Sequence, residues 1–255
     1  MKYFTDVLLF SFLAFLKCAG HTMSVFSVKR TSKLSLGESS LDDSIPGFEL
    51  GDFIVIYGHN VLPTSFVLSV RCQLPTKLGG LDSSAVFIDA SNSFNPYLLA
   101  EIALDHYLDP QSVLERVYIS RAFTAYQLCS LILEKLEIFL KSKKAKLLIA
   151  SDIISLFLSG IPKDEAEDLF TKICKKFSEI VAGRQTIIIV NRLHEKKSRQ
   201  VQLLENILFE RANVLTRLEK KGKILSFILE KHSCIKAFGI DLPTDYTNLS
   251  AYMEA

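Results

Sequence analysis

Short apolar runs separated by helix-patterned segments constrain this chain more than any other feature. Phe53-Ile54-Val55-Ile56-Tyr57, Ala85-Val86-Phe87-Ile88, Val117-Tyr118-Ile119, Leu147-Leu148-Ile149-Ala150 and Thr186-Ile187-Ile188-Ile189-Val190 have the length and β-branched content of strands. They do not alternate with polar residues, so both faces of each strand must be buried. The segments between them read as helices. Asn95-Pro96 opens one, with Leu98, Leu99, Ile102 and Ala103 on a shared face, and a long one runs over about 126–141. In the long helix Leu128, Leu131, Ile132 and Phe139 lie near one face, with Leu136 on its flank. Pro162-Lys163-Asp164-Glu165 opens a third helix with acids in its first turn, and Gly183 closes it. This alternation predicts an α/β fold, a mostly parallel sheet with helices on both faces. The last third changes character. Two β-patterned runs at 213–218 and 224–229 flank Lys220-Lys221-Gly222-Lys223, which predicts a C-terminal antiparallel hairpin extending the sheet.

A chain of 255 residues fits one large domain of this class. Its 30 Lys and Arg against 28 Asp and Glu leave a net charge of +2, so contact with a polyanion must come from local patches. The five cysteines, Cys18, Cys72, Cys129, Cys174 and Cys234, show no metal-ligand spacing and read as reduced core thiols of a cytoplasmic protein. No structural metal is expected. Residues 1–29 form an N-terminal extension with an apolar run from Val7 to Leu16, shorter than a membrane span. Three readings fit it: sequence upstream of a true start at Met23, a packed helix, and a secretory signal. The core is assigned to 30–240 and a tail to 241–255, with no membrane contact expected of the core.

Between the first strand and the next helix lies Gly58-His59-Asn60-Val61-Leu62-Pro63-Thr64-Ser65. Strand, eight-residue loop and helix form the frame of a phosphate-binding loop, G-x-x-x-x-G-K-[ST]. Gly58 and Ser65 match it. Pro63 stands where the second Gly belongs, and Thr64 where the phosphate-binding Lys belongs. Two readings remain for the helix start. Ser65 and the helix N-terminus attract an anion, with Gly58, Thr64 and Ser65 as a degenerate nucleotide site. Alternatively, Pro63 occupies the first helical position simply to start the helix.

Further residues carry a family resemblance. Leu36-Gly37, Ser40-Leu41-Asp42 and Gly47-Phe48-Glu49-Leu50-Gly51 resemble the entry segment of RecA/RadA-type recombinases. Cys72-Gln73-Leu74-Pro75 with Gly79-Gly80, Phe87-Ile88-Asp89 with Phe94-Asn95-Pro96, and Arg121-Ala122-Phe123 follow in the family's order. The resemblance spans about 30–235 and implies a RecA-like P-loop NTPase fold. The chain is identified as a recombinase paralog, similar to archaeal RadA and its shorter relatives.

Its departures bear on catalysis. The family's metal-holding Asp ends the strand resembling 147–150, where this chain has Ser151 and places Asp152 one position later. A one-residue shift along a strand turns a side chain to the other face. The family's catalytic Glu lies where Ser91 stands. Phosphoryl transfer depends on charge stabilisation and water positioning, so losing Lys, Asp and Glu together implies a pseudo-ATPase with no catalytic residues. ATP and Mg²⁺ are then not expected as working cofactors.

The remaining candidate surface is Asn191-Arg192-Leu193-His194-Glu195-Lys196-Lys197-Ser198-Arg199, whose family counterpart faces DNA. Arg192, His194, Lys196, Lys197 and Arg199 are the candidate DNA-binding residues, with a solvated loop as the alternative reading. Arg192 replaces the family's usual Gln and adds charge at the mouth of the loop. Lys141, Lys143, Lys144 and Lys146 read as a solubilising turn at the opposite edge of the sheet. The family's Phe-x-x-Ala assembly motif is absent from Phe26-Ser27-Val28-Lys29, which argues against filaments formed through it. The resemblance implies assistance to homologous recombination by binding single-stranded DNA, the active RadA-type recombinase or another paralog. An ATP-binding DNA-dependent ATPase and a scaffold outside DNA repair are the alternatives.

Overall fold

The structure, a computed structural model, describes residues 32–45, 47–193, 198–222 and 224–242. The readings made on residues 1–29, on Met23, on His194, Lys196 and Lys197, and on the tail beyond 242 lie outside the described residues.

The predicted strands form one sheet of eight, in the order β10-β9-β8-β3-β7-β6-β4-β5. Here β3 is Phe53–Gly58, β4 Ala85–Asp89, β5 Val117–Arg121, β6 Leu147–Ser151 and β7 Ile187–Leu193. They are joined by β8 Val214–Lys221, β9 Ile224–Lys231 and β10 Phe238–Leu242. The pairs from β8 across to β5 are all parallel, and β9 and β10 extend the sheet antiparallel. The predicted hairpin is therefore present, and a third strand follows it. That strand reaches Leu242, so the sheet continues past the boundary placed at 240.

Helices cover both faces, because alternate residues of the strands point to opposite sides. Ile54 and Ile56 belong to the core under α2 (Val61–Arg71), α3 (Pro96–Asp105) and α4 (Pro110–Glu115). Phe53 and Val55 belong to the core under α5 (Ala125–Ser130), α6 (Leu136–Lys143), α7 (Lys163–Ala182) and α8 (Arg199–Arg211). The entry segment folds as β1 (Lys33–Leu34), α1 (Ser39–Ser44) and β2 (Phe48–Glu49), and buries Leu34, Leu36, Leu41, Ile45 and Phe48 in the first of these cores. Its turn residues thus punctuate a packed element.

The long helix expected over 126–141 is interrupted by a π-turn at Leu131–Lys135. The extra residue resets the buried face. Leu128, Ile132, Leu136 and Leu140 line up at four-residue steps and are buried, while Phe139 is displaced to the margin. An uninterrupted 3.6 period would carry that row off the sheet.

The Cys-Gln-Leu-Pro element is structural. The Cys72 thiol bonds the carbonyls of Ser69 and Ser83, and burial pushes its pKa up to about 12. Gln73 Nε2 donates to Ser69 and Val113 carbonyls. A Cβ on Gly80 would meet Leu74 O at 2.0 Å, so only glycine closes this turn. Cys129 and Cys174 are likewise buried, but Cys234 is exposed and departs from the core reading. Among the described residues no helix is long and apolar enough to cross a membrane.

Candidate functional site

The parallel strands bring the candidate residues to the carboxyl edge of the sheet, where ligands of open α/β folds bind. Gly58, Asp89, Arg121, Ser151 and Leu193 end their strands there.

At the β3–α2 turn the expected eight-residue loop is reduced to His59 and Asn60. Helix α2 begins at Val61, four residues before Ser65. Pro63 is the third helical residue, not the first, and is tolerated because first-turn N–H groups need no intrahelical acceptor. Apolar composition explains the longer helix. Val61 is wholly buried and Leu62 nearly so, and extending the helix places both in the core. Every residue from Val61 to Val70 is buried. Behind the turn, Phe66, Phe87 and Phe94 pack with ring centroids 5.1–5.7 Å apart.

Polar groups of the turn are used internally. The Thr64 N–H and hydroxyl both donate to Asn60 O, at 3.2 and 2.9 Å. The Ser65 hydroxyl donates to Val61 O at 2.8 Å and accepts from Asn191 Nδ2 at 3.0 Å. Gly58 lies beside β8, and the His59 N–H donates to Leu218 O.

At the end of β6, Ser151 is buried, with its hydroxyl 3.4 Å from that of Ser91, which in turn lies 2.7 Å from Ser93. Asp89, the lateral neighbour of Ser151, accepts from the backbone of Ser93 and Phe94 and faces Arg121 Nε at 3.4 Å. The family motifs around Asp89 and Arg121 thus meet in space.

Asp152 lies just past the strand in a left-handed conformation, φ 47°, so strand alternation does not set its direction, and its carboxylate faces Arg192. The carboxylate accepts from Arg192 Nη1 at 2.8 Å. Arg192 Nε lies 3.4 Å from Glu205 of α8, at ion-pair distance but outside hydrogen-bond geometry. Asn191 closes the set, since its Oδ1 accepts the Asp152 N–H while its Nδ2 reaches Ser65. Arg192 is 2 % exposed. The expectation that it adds charge at the loop mouth is therefore corrected. Strand β7 continues through Leu193, which points the guanidinium inward, where Asp152 and Glu205 offset the cost of burial. Arg199, in contrast, is exposed at the start of α8, behind the Ser198 cap. The structure thus separates Arg192, buried, from Arg199, exposed.

Residue reasoning missed this network. The available signal was a charged residue inside an apolar strand, Arg192 between Asn191 and Leu193, with an Asp just past the neighbouring strand. It also missed a cavity of about 250 Å³ beside β5, lined by Val86, Ile88, Tyr118, Ser120, Leu131 and Phe139. Lys143 Nζ lies 4.9 Å over the Tyr118 ring near this cavity. Among the described residues β5 pairs only with β4, which leaves its other edge open. The basic turn at 141–146 is at the amino ends of the strands, away from the site. Lys141 pairs with Glu137, and Lys146 Nζ donates to Leu81 O.

The family model described as Rad51 matches residues 29–182, more than half of the chain. The chain belongs to the Rad51 family. The fold is RecA-like, and the protein is related to recombinases. Membership raises the question of a Mg²⁺-bound nucleotide, and the residues present do not fit one. The turn that would wrap phosphates is helix, Thr64 brings no charge, and Ser65 is tied to Val61 and Asn191. Ser151 and Ser91 are neutral, and the two nearby carboxylates are engaged by protein groups, Asp89 by Ser93, Phe94 and Arg121 and Asp152 by Arg192.

Proposed function

We propose that this Rad51-family chain assists homologous recombination by binding the active recombinase or another paralog, without phosphoryl transfer of its own. The observation that carries the binding role is the outer edge of β5, which pairs with no strand among the described residues, with the apolar cavity along it. An unpaired edge strand offers a row of backbone donors and acceptors to an extended segment. The adjoining cavity takes one bulky apolar anchor, and β5 supplies the register. Edge and pocket together suit a recombinase-family segment rather than a small polar ligand. The reading without turnover rests on the replaced charges: Thr64 stands at the lysine position, Ser151 at that of the metal-holding Asp and Ser91 at that of the catalytic Glu.

The test is capture of the recombinase of the same organism by the full chain, comparing the natural sequence with Ser120→Arg. The arginine fills the cavity from a half-buried position, so capture is lost while the melting temperature stays within about 2 °C. Unchanged capture would remove β5 from the interface. In parallel, no ATP turnover above background is expected with or without single-stranded DNA.

Single-stranded DNA is a second ligand of the same reading, favoured by exposed Arg199 beside Lys196 and Lys197 in the sequence. With Arg192 withdrawn, the basic segment offers fewer cations than its composition indicates.

A further inference from the structure

In a nucleotide-driven protein of this fold, phosphate and metal tie the β3–α2 turn to the ends of the neighbouring strands. Here protein side chains span the same places. Ser65 on α2 is joined to β7 by Asn191, Asn191 to the residue after β6 by the Asp152 N–H, and Asp152 to β7 and α8 through Arg192 and Glu205. Each of these groups except Glu205 is 2 % exposed or less. Arg192 is the fixed cation of the set. Its neighbours in the chain lead directly into the segment 194–197 and then α8.

We propose that the Ser65–Asn191–Asp152–Arg192 network replaces nucleotide and metal as the organiser of this edge. It holds the end of β7 and the start of α8 in one state, whatever the nucleotide in solution. The physical basis is the cost of breaking it. A buried guanidinium cannot lose its proton, and parting it from Asp152 breaks a buried 2.8 Å charge-assisted hydrogen bond in a low-dielectric site. A ligand shifts such an equilibrium only through differential affinity for two states, and here the β3–α2 turn that would cradle a phosphate is helix from Val61 on. The surface that α8 presents is then constitutive. This inference deepens the non-catalytic reading, and it is independent of which partner binds.

Amide hydrogen exchange on the full chain tests it, with no partner and no DNA present. MgATP and MgADP at millimolar concentration are expected to leave exchange at 58–66, 189–193 and 199–205 unchanged, and to move the melting temperature by less than about 1 °C. Arg192→Gln and Asp152→Asn are each expected to speed exchange at 189–193 and 199–205 by about tenfold or more. Combining Arg192→Met with Asp152→Leu, which removes both charges, is expected to recover most of that protection. Slower exchange at these segments with MgATP would overturn the proposal, as would an Arg192→Gln variant with unaltered exchange. If a single variant is too unstable to purify, the nucleotide comparison on the natural sequence decides alone. Because no partner is present, failure here leaves the recombinase-binding reading standing, and lost capture by Ser120→Arg does not touch the network.

Discussion

A Cβ added at Gly58 would sit 2.2 Å from the carbonyl oxygen of Leu218, and the backbone there holds φ at 106°. Both facts demand glycine, and neither involves a phosphate. The side chain is forbidden by the close approach of β8, whose strand pairs with β3 through Gly58 and Leu218. Gly58→Ala is therefore expected to destabilise the fold by about 2 kcal/mol or more, combining left-handed strain with a backbone clash. Urea denaturation measures it, and a cost below ~0.5 kcal/mol would contradict this account. Ser65 tells the same story. It matches the phosphate-loop pattern, but its hydroxyl serves its own helix and Asn191. At Arg192 the charge legible in the sequence is real and its placement is not. Alternation along β7 sends Asn191 toward α2 and Arg192 toward α8, and Asp152 and Glu205 together make its burial tolerable.

At the scale of elements, the helix pair α6–α7 is tied by Glu137, which accepts from Lys141 on its own helix and from Lys176 across the gap, at 2.7 and 2.6 Å. These two hydrogen bonds and the lysine charges hold its carboxyl down at about 2, well below the usual glutamate value of 4.5. A depressed carboxylate stabilises the fold above its unfolded value, and that contribution is lost as pH falls from about 4.5 toward 2. The side chain is 38 % exposed, so solvent screening keeps the effect small. Glu137→Gln is expected to cost about 0.5 kcal/mol at neutral pH and nothing below pH ~2, as read from denaturation midpoints across that window. Elements were also where periodicity misled. The segment from 125 to 143 has helical spacing, but the π-turn at Leu131–Lys135 adds a residue that no single-sequence period reveals. The turn aligns Leu128, Ile132, Leu136 and Leu140 on the sheet, so packing on that face decided it.

For the whole molecule, the recombinase-related architecture survives while its carboxyl edge is sealed by its own side chains. On the proposed reading, function lies at two surfaces, the β5 edge and the exposed start of α8. If single-stranded DNA binds there, Lys196, Lys197 and Arg199 supply the phosphate contacts. The log–log salt slope is then expected near −2, at roughly −0.7 per phosphate neutralised. Fluorescence anisotropy of a labelled oligothymidylate across a salt series measures it. A slope of −4 or steeper would require cations beyond these three.

The sequence by itself determined the α/β class, the strand set from β3 to β9 and the family, because continuous apolar runs and ordered motifs are local properties of the chain. Tertiary structure alone decided the length of the β3–α2 turn, the inward turn of Arg192, the added strand β10 and the open edge of β5. Each of these depends on what lies beside a residue after folding: Leu218 beside Gly58, Asp152 beside Arg192, β9 beside β10, and on the outer side of β5, among the described residues, no strand.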